Sequence, residues 1–376
     1  MKNRSIDRTA TWSAVTILAV GFTSPLVGTE KWQNINAENT PGLAGDEIQF
    51  IEPTGDGIWI GTLSGLSYYR EGEFATVTTE KTKRVRQDGE QAEVIEEVPA
   101  KFRAWDVLDL GGGSYLVGTQ AGVYPLKDGK VGEVSLEQFT VSPIFRYKPD
   151  EVWALCKDRG TERNTLYRRV KDEWTPIEAF AGKQIADVTR TANGHVWVTI
   201  DGDGVLEIDP ETGIAEAEHH LQGLNVTSIF RTGQGHVWCG TWGRGVFSQK
   251  DGKWISHLGQ LESAVLDIDE GQDGTVWVAT TADGLWCYDG DQWSGQLAGE
   301  GPINLLYVDG EGRVWVSTQL RGGLRYLSGD EWVVSLPGPL PMRCLVESQQ
   351  GRLWAGGVLD GLHVRGGLQT SMGSKP

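Results

Sequence analysis

One residue returns along most of this chain at a near-constant interval. Trp59, Trp153, Trp197, Trp238, Trp277, Trp315 and Trp354 each follow a turn and then a β-branched or aliphatic residue, and Tyr115 stands in the tryptophan's place in the second unit. Five steps cover the 201 residues from Trp153 to Trp354, a period of about 40. Each unit opens on a β-branched run such as NVTSIF or AVLDID, turns at TGQG or GQDG, and continues as HVWCGT or TVWVAT. It turns again at GRG or ADG, runs on as VFSQ or LWCY, and ends beyond a polar tip in KWISH or QWSG. The unit is therefore four short strands joined by tight turns, and 51 glycines against 14 prolines suit that many turns.

A lone four-stranded antiparallel sheet cannot bury both of its faces. Eight arranged radially cover one another and expose only short edges, which defines an eight-bladed, all-β propeller. The first strand of a unit is accordingly apolar at both parities, as in INLLYV. The eighth unit begins at Met342, passes Trp354 and dissolves after Gly361-Leu362-His363-Val364 without a fourth strand. GTEKWQNIN around Trp32 copies the KDGKWISH form of the fifth unit, so residues 29–36 are expected to close the ring on the C-terminal unit. The propeller is assigned to residues 29–366, after a leader (1–28) and before a flexible tail (367–376).

The repeat wording, D-x-x-G-x-[VL]-W-[VI]-x-T-x-x-G-[LV], is clearest in GDGIWIGTLSGLSYY (55–69) and DGTVWVATTADGLWCY (273–288). It resembles the two-component regulator propeller family, the sensory ectodomain repeat of bacterial hybrid histidine kinases. The resemblance spans all eight units, and it implies a sensory recognition role. The family's membrane span, kinase and regulator domains are not in these 376 residues. Unit two lacks the tryptophan, and unit three (PDEVWALCKDRGTERN) lacks the threonine and the short glycine turn. WD-repeat and sialidase patterns fit less well, and the repeat wording is broadly similar to that of streptogramin lyases.

Twelve of the sixteen tryptophans fall in register, seven in second strands and five (Trp32, Trp174, Trp254, Trp293, Trp332) in fourth strands. Rings repeated in register read as packing between blades, because repeat units need a continuous shared core. Trp12, Trp105, Trp242 and Trp286 are off pattern; Trp286 replaces Tyr124 and Phe247 of other units and reads as packing. Trp105 sits in the innermost strand of unit two, facing or filling the central channel. Trp242 lies in the turn T-W-G-R-G beside Arg244: either a platform for a sugar or aromatic ligand, or a cap on its own blade.

Turns between second and third strands share one face with the connections between blades, the customary place for function. They carry Asp201, Asp203, Arg244, Asp283, Arg321 and Asp360, with Arg159 and Arg163 in the longer KDRGTERN. Each acid is either a ligand-binding group or a turn former. Residues 78–101 interrupt the period and contain Asp88-Gly89, a two-residue hairpin signal that would set Arg84 opposite Glu93 and Lys81 opposite Glu96. This hairpin is an expected docking arm for a protein partner, a lid, or a solvated ornament.

A net charge of -17 argues against nonspecific binding to nucleic acid or anionic membrane. Lys2, Arg4 and Arg8 followed by SAVTILAVGF resemble a weak secretory signal, which implies a periplasmic or extracellular protein, with a cytoplasmic leader as the alternative. That run is too short for a membrane span. Cys156, Cys239, Cys287 and Cys344 lack metal spacing and read as small buried hydrophobes, with a Cys239–Cys287 disulfide the minor alternative. His195 and His236 occupy one repeated turn position and read as filler; His257 and His363 are isolated, and His219-His220 is the one pair worth testing. The expectation is a monomeric, noncatalytic recognition module for a polar small molecule, glycan fragment or protein, with no cofactor or metal and no catalytic residues. The runners-up are a propeller lyase or hydrolase and a structural scaffold without a small ligand.

Overall fold

A computed structural model describes residues 31–366 and 368, apart from 56, 78–80, 89–90, 100–102, 191–193, 212, 215–217, 251 and 258–262. Only the backbone is described for the two strands between 81 and 99 and for residue 190. The expected leader, Trp12 and all of the expected tail but residue 368 lie outside the described residues.

The strands form eight four-stranded antiparallel sheets, with one further two-stranded sheet. Blades 1 to 7 run in chain order, with innermost strands Ile48–Pro53, Ala104–Gly111, Phe139–Lys148, Ile185–Arg190, Val226–Arg231, Val265–Glu270 and Ile303–Val308. Blade 8 takes Met342–Glu347, Leu353–Gly357 and Leu362–Arg365 from the C-terminal end and Trp32–Ile35 from the other. That fourth strand pairs Trp32 with Arg365, Gln33 with Val364, Asn34 with His363 and Ile35 with Leu362, as the unfinished eighth repeat requires.

Closure is also visible in the core. Eight separate apolar clusters occupy the eight interfaces between neighbouring blades. An open row of eight blades would have seven. The interface that closes the ring joins Ile35, Trp354, Leu362 and Val364 of blade 8 to Ile48, Ile51, Ile58 and Ile60 of blade 1. The second-strand tryptophans are 0–7% exposed. Fourth-strand rings reach across the interfaces: Trp254 meets Trp197 edge-on at 6.4 Å, Trp293 meets Trp238 at 6.0 Å and Trp32 meets Trp315 at 6.2 Å. Such edge-to-face pairs favour one blade spacing and so fix the pitch of the ring.

The threonine of the repeat has a local task. Its hydroxyl donates to the carbonyl of the glycine that ends the turn between second and third strands, from Thr62 to Gly65, Thr119 to Gly122, Thr241 to Gly245 and Thr280 to Gly284. In blade 3, where the threonine is missing, the Asp158 carboxylate instead accepts from the Gly160 and Thr161 amides at 2.9 and 2.7 Å.

The inserted hairpin forms in the connection from blade 1 to blade 2, as Lys81–Asp88 paired with Gln91–Pro99. Its register differs from expectation: Arg84 lies opposite Glu96, Arg86 opposite Glu93 and Lys81 opposite Pro99. The closing pair is Asp88↔Gln91 rather than one centred on Asp88-Gly89, and a bulge between Arg84 and Val85 shifts the remainder. A basic strand still runs beside an acidic one.

Candidate functional site

The ring has two unlike mouths. On the first, turns between second and third strands meet the connections between blades. In blades 1 to 7 a turn amide donates to the carbonyl just before that blade's innermost strand, as from Leu63 to Glu47, Asp201 to Gln184 and Trp242 to Asn225. Every innermost strand bulges once at this end. A bulge re-aims one side chain. Gln49, Trp105, Thr227, Leu266 and Asn304 occupy bulges and are more exposed than the buried residues on either side of them. Adjacent blades and the second strand cover the other sides of an innermost strand, so this exposure is toward the axis. Trp105 Nε1, Ser142 Oγ and Asn304 Oδ1, all at bulges, lack a hydrogen-bond partner among the described residues.

Most of the charges expected to line this mouth are clasps between turn and connection. Arg159 donates to the carbonyls of Gln138, at 3.1 Å, and Glu137. Asp203 pairs with Lys183 at 3.0 Å, and Asp283 accepts from the amide and hydroxyl of Ser263. Arg321 pairs with Glu300 at 3.3 Å, and Glu300 also binds the buried Arg325. Asp360 contacts His363 at 3.3 Å, and its carbonyl accepts from Asn34 on the closing strand. Asp201 is exposed, and its amide holds the turn.

Trp242 and Arg244 stand apart. The indole is 65% exposed, and Arg244 beyond Gly243 is exposed too. The turn is anchored on both sides, by the bond to Asn225 in its own blade and a bridge to Ala264 at the entry to blade 6. The backbone that carries the ring is thus anchored at the seam between blades 5 and 6, beside the Ser263–Asp283 clasp. Leu320 (68%) and Leu359 (57%) project from the equivalent turns of blades 7 and 8, so three of the four exposed large hydrophobic residues among the described residues share this face. Trp286 packs inward, with its Nε1 on the Asp283 carbonyl at 3.1 Å, as its register implied.

On the second mouth the innermost strands end. Opposite the residue that precedes the second-strand tryptophan stand Arg146, Arg190 and Arg231 in blades 3 to 5, but Glu270 in blade 6 and Glu347 in blade 8. Arg146 and Arg231 are tied to turn carbonyls, those of Pro149 and Gly235. On the acidic side a cavity of about 430 Å³ opens between blades 6, 7, 8 and 1, lined by Glu52, Glu270, Tyr307, Asp309 and Glu347 among others. Glu52 is 8% exposed; burial, then repulsion from Asp106, push its carboxyl up to about 8. Burial and the nearby Glu347 charge raise the Tyr307 phenol to about 12, which keeps it neutral. Sequence reasoning missed this cavity because Glu52, Glu270 and Glu347 stand in unlike contexts, IEP, IDE and LVE, that only the closed ring brings together.

The histidines are more engaged than their positions in the repeat suggested. His195 Nδ1 and His220 Nε2 lie 2.7 and 3.2 Å from the two oxygens of Glu207, and His220 stacks on Trp197. Burial alone would raise Glu207, but the hydrogen bonds to His220 and His195 outweigh it and leave the carboxyl low. His195 thus has a structural partner in Glu207, and Glu207, Glu218 and His220 hold ligand-capable atoms within 4.8 Å of one another. His257 stacks on Trp238, and His363 contacts Asn34 and Asp360. All four cysteines are free; Cys156 and Cys239 are buried as expected, whereas Cys287 and Cys344 are half-buried.

Strands, closure and core together define a closed eight-bladed propeller with two unlike mouths. Its repeat matches a known one in part: residues 220–243, from the last strand of blade 4 through Trp242, match the family model described as Two component regulator propeller, and the repeat wording is consistent with that family. No curated protein matches over its sequence. Among solved structures, the chain is similar to the extracellular domain of BT4673 from B. thetaiotaomicron, assigned to a hybrid two component system, at 16% identity and TM-score 0.50, over 87% of this chain and 51% of that one. It thus spans about half the length of that domain. YCF48 bound to D1 peptide is similar at 13% identity and TM-score 0.51, over 91% and 99% of the two chains. A streptogramin B lyase gives 12% identity and TM-score 0.49, over 69% and 91%. At these identities the first two likenesses bear on the fold alone, and that fold is the propeller. No helix among the described residues is long and apolar enough to cross a membrane.

Proposed function

We propose that this propeller is a noncatalytic recognition module acting outside the cytoplasm, which binds a polar ligand, a glycan fragment or a peptide segment of a partner on the face that carries Trp242. The observation that carries the reading is the exposed indole of Trp242 beside Arg244, on a turn braced from two blades. A large ring exposed to water on a turn with an anchored backbone is placed to stack on a sugar or peptide, and the neighbouring guanidinium supplies donors for its polar groups. Leu320 and Leu359 extend the apolar contact around the rim, and the bulged residues offer polar atoms nearer the axis. Support for this reading and for an extracytoplasmic location comes from the sensor extracellular domain and the peptide-bound YCF48, which share the architecture, and from the signal-like N-terminal run. The 78–101 hairpin, in a connection of the same face, is assigned a partner-docking role.

The test is a thermal-shift screen of glycan fragments and peptides, followed by calorimetry of each hit. A ligand of the folded state raises apparent stability by mass action. Trp242→Ala and Arg244→Ala should each weaken the hit at least ten-fold while leaving the unliganded melting temperature in place. A hit indifferent to both substitutions would remove this face from the account.

A further inference from the structure

The cavity on the second mouth lies on the opposite face from Trp242, and its chemistry is specific. Among its lining residues are three glutamates, on blades 1, 6 and 8, and there is no lysine, arginine or histidine. Glu270 and Glu347 are each held by one oxygen, which accepts from the Gly233 amide at 2.6 Å and the Gly310 amide at 2.7 Å, so the other oxygen of each is left to a ligand. Asp309 is saturated by Arg313 and Trp315. Glu52 differs from all of these: more than nine-tenths buried, it lines the cavity and has no hydrogen-bond or ion-pair partner among the described residues. An unpartnered buried carboxyl is costly and is retained where something else completes it.

We propose that this cavity is a binding site for an alkylammonium ion, with Glu52 as its central counter-ion, Glu270 and Glu347 as flanking acceptors, and Pro53, Val308, Leu345 and Val346 as walls for the methylene chain. A volume of about 430 Å³ lies in the range of small-molecule sites and far exceeds one metal ion. Nor do these carboxylates form a metal-like cluster: the group of three or more ligand atoms within 4.8 Å among the described residues is Glu207, Glu218 and His220, on blade 4. The ammonium arrives either on a free di- or polyamine or on a lysine side chain of a partner.

The charges facing Glu52 are Asp106 on blade 2 and, around the cavity, Glu347, Glu270 and Asp309, with Tyr307 as a neutral phenol. With its carboxyl raised, Glu52 is protonated near pH 7, and an ammonium bound beside it expels that proton. Affinity therefore rises from pH 6 to pH 8.

Calorimetry with spermidine, 1,5-diaminopentane and N-acetyl-lysine amide, at 150 mM salt and with Ca²⁺ as comparator, tests the site. The expected result is 1:1 saturable binding of at least one amine, at least ten-fold weaker in Glu52→Gln and unchanged in Trp242→Ala, with proton release near pH 7 read from buffers of different ionisation enthalpy. Spermidine or diaminopentane without the lysine amide identifies a free amine; comparable binding of the lysine amide identifies a side chain, and both sustain the proposal. Diffuse attraction of a polycation to a protein of net charge -17 would barely respond to the loss of one carboxylate, so the Glu52→Gln variant separates site from surface. No saturable amine binding, binding indifferent to Glu52→Gln, or Ca²⁺ binding in place of amine binding would overturn it. None of these outcomes bears on the Trp242 face.

Discussion

Replacing Glu52 by glutamine should stabilise the protein, and increasingly so as pH rises. The folded-state carboxyl titrates near 8 against an ordinary value of 4.5, because burial and then Asp106 disfavour its charge. Between those two values the folded state binds more protons than the unfolded, so stability falls as pH rises, and the loss is complete above about 8. At about 1.4 kcal/mol per pH unit, the wild-type protein forfeits about 3 kcal/mol by pH 7 and about 5 kcal/mol above pH 8. Glutamine keeps the shape without the titration. The two proteins should melt within about 1 kcal/mol of each other at pH 5, while at pH 8 the variant should melt about 4–7 °C higher, from the usual unfolding entropy per residue. Differential scanning calorimetry at pH 5, 6, 7 and 8 measures the divergence. Parallel pH profiles, or a variant less stable than wild type at pH 8, would refute the claim that Glu52 is a buried carboxyl without a counter-ion.

Truncating the closing strand should weaken the whole ring. Ile35 is 1% exposed in the interface between blades 8 and 1, so Ile35→Ala should cost about 2–5 kcal/mol and lower a single cooperative transition followed by tryptophan fluorescence. Trp242→Ala should shift the melting temperature by no more than about 1 °C, as exposed substitutions usually do, whereas Trp238→Ala, at 5% exposure, should cost about 3–5 kcal/mol in the same calorimeter. On the acid side, Glu207 is held low by its two histidines, so its contribution is present above the ordinary carboxylate range and lost as pH falls through the folded value. Glu207→Gln should therefore flatten the acid limb of the stability curve in urea titrations between pH 3 and 6.

The blade count and the closing strand could be read from sequence because they rest on periodic apolar and aromatic positions, and each period repeats the same local physics. Trp32 was recognisable as the missing fourth strand because KWQ copies KWI of the fifth unit. Sequence left Trp242 open between a platform and a cap on its own blade, because the glycines beside it permit either; its 65% exposure is a finding of the structure. The acids of the same turns were ambiguous for a physical reason: an aspartate that clasps Ser263 or Lys183 looks in sequence like one that waits for a ligand. The hairpin register escaped because the strands close on Asp88↔Gln91 rather than around Asp88-Gly89, and a bulge at Arg84 and Val85 then adds one residue to the second arm; composition marks neither. The second-mouth cavity was hidden most deeply, since its carboxylates lie at positions 52, 270 and 347 and meet only after the ring closes.

Closure of the ring by the first strand is the claim on which both mouths depend, and a designed cross-link measures it directly. Asn34 and His363 are cross-strand partners whose side chains meet at 3.3 Å. With Cys287 and Cys344 replaced by serine to leave only buried native thiols, Asn34→Cys with His363→Cys should oxidise to one disulfide found by peptide mapping, and the melting temperature should rise, since the bond ties a loop of nearly the whole chain. Free thiols at both positions after oxidation, or a cross-link that lowers the melting temperature, would contradict a ring closed through Trp32–Ile35.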